Sequence, residues 1–210
     1  MISTFDNGNF NLLCTNLAKK DNDLKTIIQL YGLPPLWQRK PSFETLVHII
    51  LEQQVSLASA KAALEKLKTK IGTISPAKLL SLSDQEMRSC YFSRQKTLYV
   101  RHLAESVITK SIFIPKLTSL SDDDVRISLK RIKGIGDWTA DVFLMMALNR
   151  TDCFPIGDVA LINSIKKVKE LQSNCSKEEI LSVAERWKPY RTIAAYLLWH
   201  NYLSKRIKPR

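Results

Sequence analysis

These 210 residues contain no cysteine pair, no histidine cluster, no long apolar run and no convincing alternating strand pattern. Each absence closes off a class of function. Cys14, Cys90, Cys153 and Cys175 are scattered without a C-x-x-C spacing, which argues against a zinc site or an iron–sulfur cluster and fits reduced thiols. His48, His102 and His200 are equally scattered, so each reads as a surface or hydrogen-bonded side chain rather than a metal ligand. The apolar stretch Val142 to Leu148 is far too short to span a bilayer, and the N-terminus carries Asp6 instead of a basic-then-apolar leader. The expectation is an intracellular protein with no membrane partner. Glycine is also scarce: there are six, and two of them stand one residue apart, at Gly134 and Gly136.

Positive charge is abundant. The net charge is +12 and the pI is near 9.6, a balance typical of nucleic-acid binding that also fits acidic lipid or an acidic protein partner. The distribution is uneven: residues 159–210 hold 11 Lys and Arg against 4 Asp and Glu. The hydrophobic content of 45% is that of an ordinary globular chain able to bury a real core.

Nearly every segment reads as helix, with about ten helices joined by short connections. Ser83-Asp84-Gln85-Glu86 and Ser176-Lys177-Glu178-Glu179 are capping boxes, and Ser75-Pro76 sets a cap before a proline at the first helical position. Phe43, Leu46, Val47 and Ile50 form one apolar stripe; Leu98, Val100, Leu103 and Val107 form a less regular one. Breaks at Leu33-Pro34-Pro35-Leu36 and at Cys153-Phe154-Pro155-Ile156-Gly157 suggest a two-lobed, all-α division. Residues 1–40 would be N-terminal helices packing with a C-terminal lobe of residues 154–210, around a central lobe of residues 41–153. A cleft between lobes is where a ligand is expected.

The most informative stretch is Leu129-Lys130-Arg131-Ile132-Lys133-Gly134-Ile135-Gly136-Asp137-Trp138-Thr139-Ala140. Two glycines bracket one aliphatic residue between two amphipathic helical patterns, a hairpin over 129–148. Glycine permits a tight turn and close approach of a foreign backbone. The amides of such a turn, with those of the following helix, form an anion site suited to a phosphate. Lys130, Arg131 and Lys133 add charge. A plain glycine cap between helices would look the same.

Asp158 follows Gly136 by 22 residues, after Phe154-Pro155-Ile156-Gly157, at the start of another helical pattern. It is either a plain N-cap or a carboxylate kept ionised by helix-start amides to stabilise positive charge or orient water.

The hairpin, the proline-containing loop and this aspartate together resemble the helix-hairpin-helix (HhH-GPD) DNA glycosylase superfamily. Gly136-Asp137-Trp138-Thr139-Ala140 looks like its 3-methyladenine DNA glycosylase II branch. Ile50-Leu51-Glu52-Gln53-Gln54-Val55-Ser56 resembles the branch's segment beside the extruded nucleotide. Glu185-Arg186-Trp187-Lys188-Pro189-Tyr190-Arg191 through Trp199 resembles its C-terminal signature. The match runs over roughly residues 40–205.

The resemblance implies removal of alkylated purines, of the 3-methyladenine and 7-methylguanine type, from double-stranded DNA by base flipping and N-glycosidic hydrolysis. Asp158 would be the catalytic carboxylate. Trp138 and Trp199, with Tyr190 as a weaker candidate, would line the base pocket, where electron-rich rings attract a cationic base. Trp187 reads better as core. Ile132, Gly134, Gly136 and Thr139 would mark the backbone-binding hairpin. Gln53 and Gln54 would fill the gap left by the flipped base, where some relatives use an aliphatic wedge instead.

Relatives that also cleave the backbone carry a lysine where this chain has Trp138, so the resemblance implies a monofunctional enzyme without lyase activity. It implies no catalytic metal, no iron–sulfur cluster, and a monovalent sodium or potassium ion at the hairpin. With only about 40 residues before the central lobe, the expectation is a compact version of the fold, without the additional N-terminal α/β domain of better-known members. Nothing demands more than a monomer, cytoplasmic and nucleoid-associated in a bacterium or nuclear in a eukaryote. A related glycosylase for another lesion, and a non-catalytic DNA-binding helix-hairpin-helix protein, are the competing expectations.

Overall fold

The computed structural model describes residues 3–205 and is all-helical. In chain order the α-helices are α1 (Phe10–Lys20), α2 (Asn22–Tyr31), α3 (Phe43–Glu52), α4 (Leu57–Ile71), α5 (Pro76–Leu80), α6 (Asp84–Ser89), α7 (Arg94–Ile108), α8 (Asp122–Lys130), α9 (Asp137–Met146), α10 (Val159–Val168), α11 (Lys177–Glu185) and α12 (Arg191–Ser204). A 3-10 helix covers Ile114–Ser119, between α7 and α8. Twelve α-helices thus stand among the described residues where the periodicity suggests about ten. α5 and α6, whose starts the caps at Ser75 and Ser83 mark, have only 5 and 6 residues, too short to repeat an apolar stripe.

The caps fall where the sequence puts them. Ser83 and Ser176 form full capping boxes with Glu86 and Glu179, and the Ser75 hydroxyl accepts the Lys78 N–H. The second apolar stripe is corrected. Leu98 is exposed and Val107 half-buried, and α7 instead buries Thr97, Val100, Leu103 and Ala104. Those four positions share one face at a spacing of three and four.

The chain forms two compact units, Met1–Gln38 with Asn149–Arg210, and Arg39–Leu148. The second boundary precedes the stretch 149–153, which the sequence reading assigns to the central lobe. Backbone pairing explains the difference. Thr4 and Arg150 form an antiparallel bridge, flanked by Phe5 N–H to Asn149 O at 3.0 Å and Thr151 N–H to Ser3 O at 3.2 Å. The same stretch is held to α12 by Thr192 N–H to Thr151 O at 2.9 Å and Cys153 N–H to Thr192 Oγ1 at 2.9 Å.

Each unit is organised on a helix that is buried over most of its surface. In Arg39–Leu148 this is α3, where only Glu44 and His48 escape full burial. At its end, buried Glu52 receives a bidentate pair from Arg39 at 2.9 and 2.6 Å. In the other unit it is α12, buried continuously from Thr192 to Trp199. Tyr196 meets the rings of Phe5, Phe10, Trp37 and Trp199 there, at centroid distances of 5.3 to 5.9 Å.

Candidate functional site

Within Arg39–Leu148 the hairpin is formed by α8, a tight turn and α9. After α8 the chain closes through Ile132 N–H to Leu129 O and Ile135 N–H to Ile132 O, each 3.0 Å, with Ile132 and Ile135 buried beneath. The two glycines serve different ends. Gly134 lies at φ +93°, and a Cβ there would fall far inside contact distance of the Tyr99 ring. Gly136 has an ordinary φ of −106° and nothing within 4 Å of where its Cβ would stand. Gly134 is therefore needed by the fold, whereas the bare Gly136 keeps the approach to the start of α9 open.

Gly136 is the N-cap of α9 and supplies no side chain to the first-turn amides. Those N–H groups and the positive end of the helix macrodipole suit an anion. Lys130 is engaged by Asp137, so its charge is partly cancelled. Arg131 and Lys133 are exposed and enter no ion pair among the described residues. Arg126 ties the two hairpin helices together, its Nε donating to Asp141 Oδ1 at 2.8 Å.

The four predicted hairpin positions separate on this geometry. Gly134 and Gly136 shape the turn. Ile132 is buried and its N–H is spent on Leu129 O, so neither its side chain nor its amide faces outward. Thr139 is only 2% exposed. Its hydroxyl accepts a hydrogen bond from Gln53 Nε2 at 2.9 Å, and the same Nε2 donates to Gly134 O at 2.8 Å. Gln53 is thereby committed to the hairpin. Gln54 is exposed and sits in the left-handed region at φ +58°. Trp138 is half-buried in the first turn of α9. Nearby, Lys96 Nζ donates to Leu51 O at the end of α3, and partial burial holds the Lys96 pKa below the ordinary lysine value.

In the other unit Asp158 is the N-cap of α10. Its Oδ1 accepts the Leu161 N–H at 2.8 Å and Trp199 Nε1–H at 3.0 Å. The cap and the charged-group readings of Asp158 are thus compatible: the amide that caps the helix also orients the carboxylate. Trp199 is 8% exposed and packs on Tyr196 and, edge-on at 6.4 Å, on Trp37. Its indole is fixed by these neighbours and passes that order on to Asp158. Tyr190 belongs to the same unit. It is the N-cap of α12, nine residues before Trp199, about 13 Å along the helix.

Trp187 is core, as its sequence context suggests. It is 2% exposed and donates Nε1–H to Asp21 Oδ2 at 2.8 Å. Asp21 is a node that the sequence reading missed: it caps α2 and also receives both Trp187 and Lys169, whose Nζ lies 2.7 Å from each oxygen. Burial alone would raise the Asp21 pKa, yet the bonds from Lys169, Trp187 and the Leu24 amide hold it below the ordinary aspartate value. The only early signal was Asp before a helical pattern, which marks a cap and nothing more. Trp37 and Tyr99 likewise carry no local motif, and the motif that includes Gln53 gives no sign of its tie to the hairpin.

Among the described residues no group of three or more His, Cys, Asp or Glu side chains could hold a metal ion, and no helix is long and apolar enough to cross a membrane. All four cysteines are free thiols, and burial pushes the Cys14 thiol up to about 12.

A family model described as HhH-GPD superfamily base excision DNA repair protein matches residues 47–189, covering the α3–α4 turn, the hairpin and Asp158. The chain belongs to the HhH-GPD superfamily. Its all-helical fold is that of the superfamily's DNA glycosylases. Schizosaccharomyces pombe 3-methyladenine DNA glycosylase (Mag1), solved with abasic DNA, superposes at a TM-score of 0.80 and 27% identity over 89% of this chain and 94% of that one. DNA-3-methyladenine glycosylase 1 of the same organism is 29% identical over 88% of this chain and 84% of its own length. DNA-3-methyladenine glycosylase of Bacillus subtilis is 28% identical over 82% of this HhH-GPD chain, which spans 59% of that relative's length.

Proposed function

We propose that the protein is a monofunctional DNA glycosylase that extrudes N-alkylated purines from duplex DNA and hydrolyses their N-glycosidic bond, leaving an abasic site and the free base. The observation that carries this reading is Asp158, anchored through Oδ1 by a helix-start amide and by the Trp199 indole. A carboxylate with a fixed position is a preorganised counter-charge for an oxocarbenium-like sugar, and it costs no reorganisation as the glycosidic bond breaks. The bonding pair leaves with the purine, whose alkylation has already made it cationic, so no general acid is required. Water then adds to C1′ and passes its proton to the surrounding solvent.

The relatives named for 3-methyladenine at 28 and 29% identity support this substrate class. Trp138 supports it too. An indole attracts a cationic base and cannot form the Schiff base that lyase chemistry needs. Backbone binding falls to the first-turn amides of α9 behind Gly136, helped by Arg131 and Lys133. Gln54, exposed at its turn, is the better candidate of the two glutamines for the gap left by the flipped base.

A sodium or potassium ion at the hairpin would be held by turn carbonyls. Ile132 O and Gly134 O accept hydrogen bonds from Ile135 N–H and Gln53 Nε2, and a carbonyl oxygen has a second lone pair to offer such an ion. The ion would supply positive charge facing a phosphate.

Base release from methylated DNA tests the proposal. The expected products are free 3-methyladenine or 7-methylguanine and intact abasic strands, with no adduct trapped by borohydride. Release confined to uracil or oxidised bases would assign the protein to another lesion. Binding without any release would leave a DNA-binding module, and a trapped adduct would overturn the monofunctional assignment.

A further inference from the structure

Gln53 makes long-range polar links in its unit, 81 and 86 residues in sequence from its two partners. Its amide NH2 has two protons, and the two acceptors within reach are the Gly134 carbonyl and the Thr139 hydroxyl. One acceptor lies in the glycine turn and the other in the first full turn of α9. The side chain therefore spans the point where α9 begins. Its own backbone is the C-cap of α3, at φ −59° and ψ 122°, and the next residue is Gln54 at φ +58°. Three further bonds fix the same helix end: Lys96 Nζ to Leu51 O, and the Arg39 pair on Glu52. Gln54 is thus the exposed tip of a turn whose preceding four residues are either buried or tied down.

We propose that Gln53 is a positioning residue that makes the phosphate-binding hairpin and the Gln54 turn one rigid element, so that seating the hairpin on the backbone sets the depth at which Gln54 enters the duplex. This rests on the glycosylase reading above. Gln53 does not touch DNA; it acts through Gln54 and through the α9 amides. Two bonds to neutral acceptors, lost together, correspond to roughly a tenfold effect on whatever depends on that alignment. Binding to an undistorted duplex, which needs only the phosphate anchor, should change far less.

The test compares Gln53→Leu, Thr139→Val and Gln54→Ala, alone and combined, by affinity for duplexes carrying an abasic-site analogue and for undamaged duplexes. Fluorescence of a 2-aminopurine opposite the abasic site reports local unstacking. Gln53→Leu should lower preference for the abasic duplex about tenfold and quench the unstacking signal. Thr139→Val, which removes one acceptor and keeps the volume, should do so partially. Gln54→Ala added to Gln53→Leu should cost little more, because an unpositioned wedge contributes little.

Additive losses in the double variant, or equal losses on abasic and undamaged DNA, would overturn the proposal. If Gln53→Leu does not fold, Thr139→Val and its combination with Gln54→Ala decide the matter on the same criteria. None of these readings needs base excision. A wild type that excises nothing while Gln53→Leu still abolishes abasic preference would refute the glycosylase reading and leave the positioning role standing.

Discussion

At the scale of single residues, the two hairpin glycines separate folding from binding. Gly134 is required by its positive φ and by the Tyr99 ring behind it, so Gly134→Ala should cost roughly 2 kcal/mol, seen as a melting temperature lower by about 5 °C. Gly136 has neither constraint. Gly136→Leu should leave the melting temperature within about 2 °C and weaken DNA binding, because its side chain would stand before the α9 amides. A titration against duplexes of unrelated sequence should show the same loss on each, since phosphate contacts carry no sequence information. A Gly136→Leu protein that binds as tightly as wild type would remove that turn from the interface.

This scale also marks what the sequence made legible. Turn glycines, helix caps and Asp158 announce themselves because their chemistry is decided within a few neighbouring residues. The partners of Asp158 and Gln53 do not, since Trp199 lies 41 residues from the first and Gly134 81 from the second. No local pattern encodes such pairs. They arise only once helices have packed.

At the scale of elements, the unit that carries Asp158 depends on a charged node joining α2, the end of α10 and Trp187 beyond α11. Asp21 accepts from Lys169, from Trp187 and from the Asp23 and Leu24 amides. Its carboxyl titrates below the ordinary value of 3.8 despite burial, so the folded state binds its proton less readily than the unfolded chain. The linked stability is complete above the unfolded value and is lost as pH falls through the lower folded one. Asp21→Asn should therefore lower stability by roughly 2 kcal/mol at neutral pH and flatten the acid limb of the stability curve below about pH 4. Chemical denaturation from pH 3 to 7 measures both; parallel wild-type and variant curves across that range would exclude the node. The helical character of this unit was readable from its caps, but the node was not, because an aspartate before a helix gives no sign of what else will reach it.

At the scale of the whole molecule, the net charge of +12 becomes a statement about affinity. Eight of the 11 basic residues in 159–210 lie among the described residues, while Arg206, Lys208 and Arg210 lie outside them. DNA binding should weaken linearly in log–log salt plots, by about 0.9 per phosphate neutralised, and Lys133→Ala should reduce that slope by about one. An unchanged slope would place Lys133 away from the backbone.

The central claim is that the anchored carboxylate does the chemistry while the hairpin does the holding. Single-turnover release of 3-methyladenine or 7-methylguanine from methylated duplex, measured for wild type and Asp158→Asn beside their affinities for abasic-analogue DNA, tests it most directly. Asparagine keeps the size and the cap acceptor and removes the charge. Release should fall more than about a hundredfold while affinity stays within about threefold. Equal release by the two proteins would contradict the account.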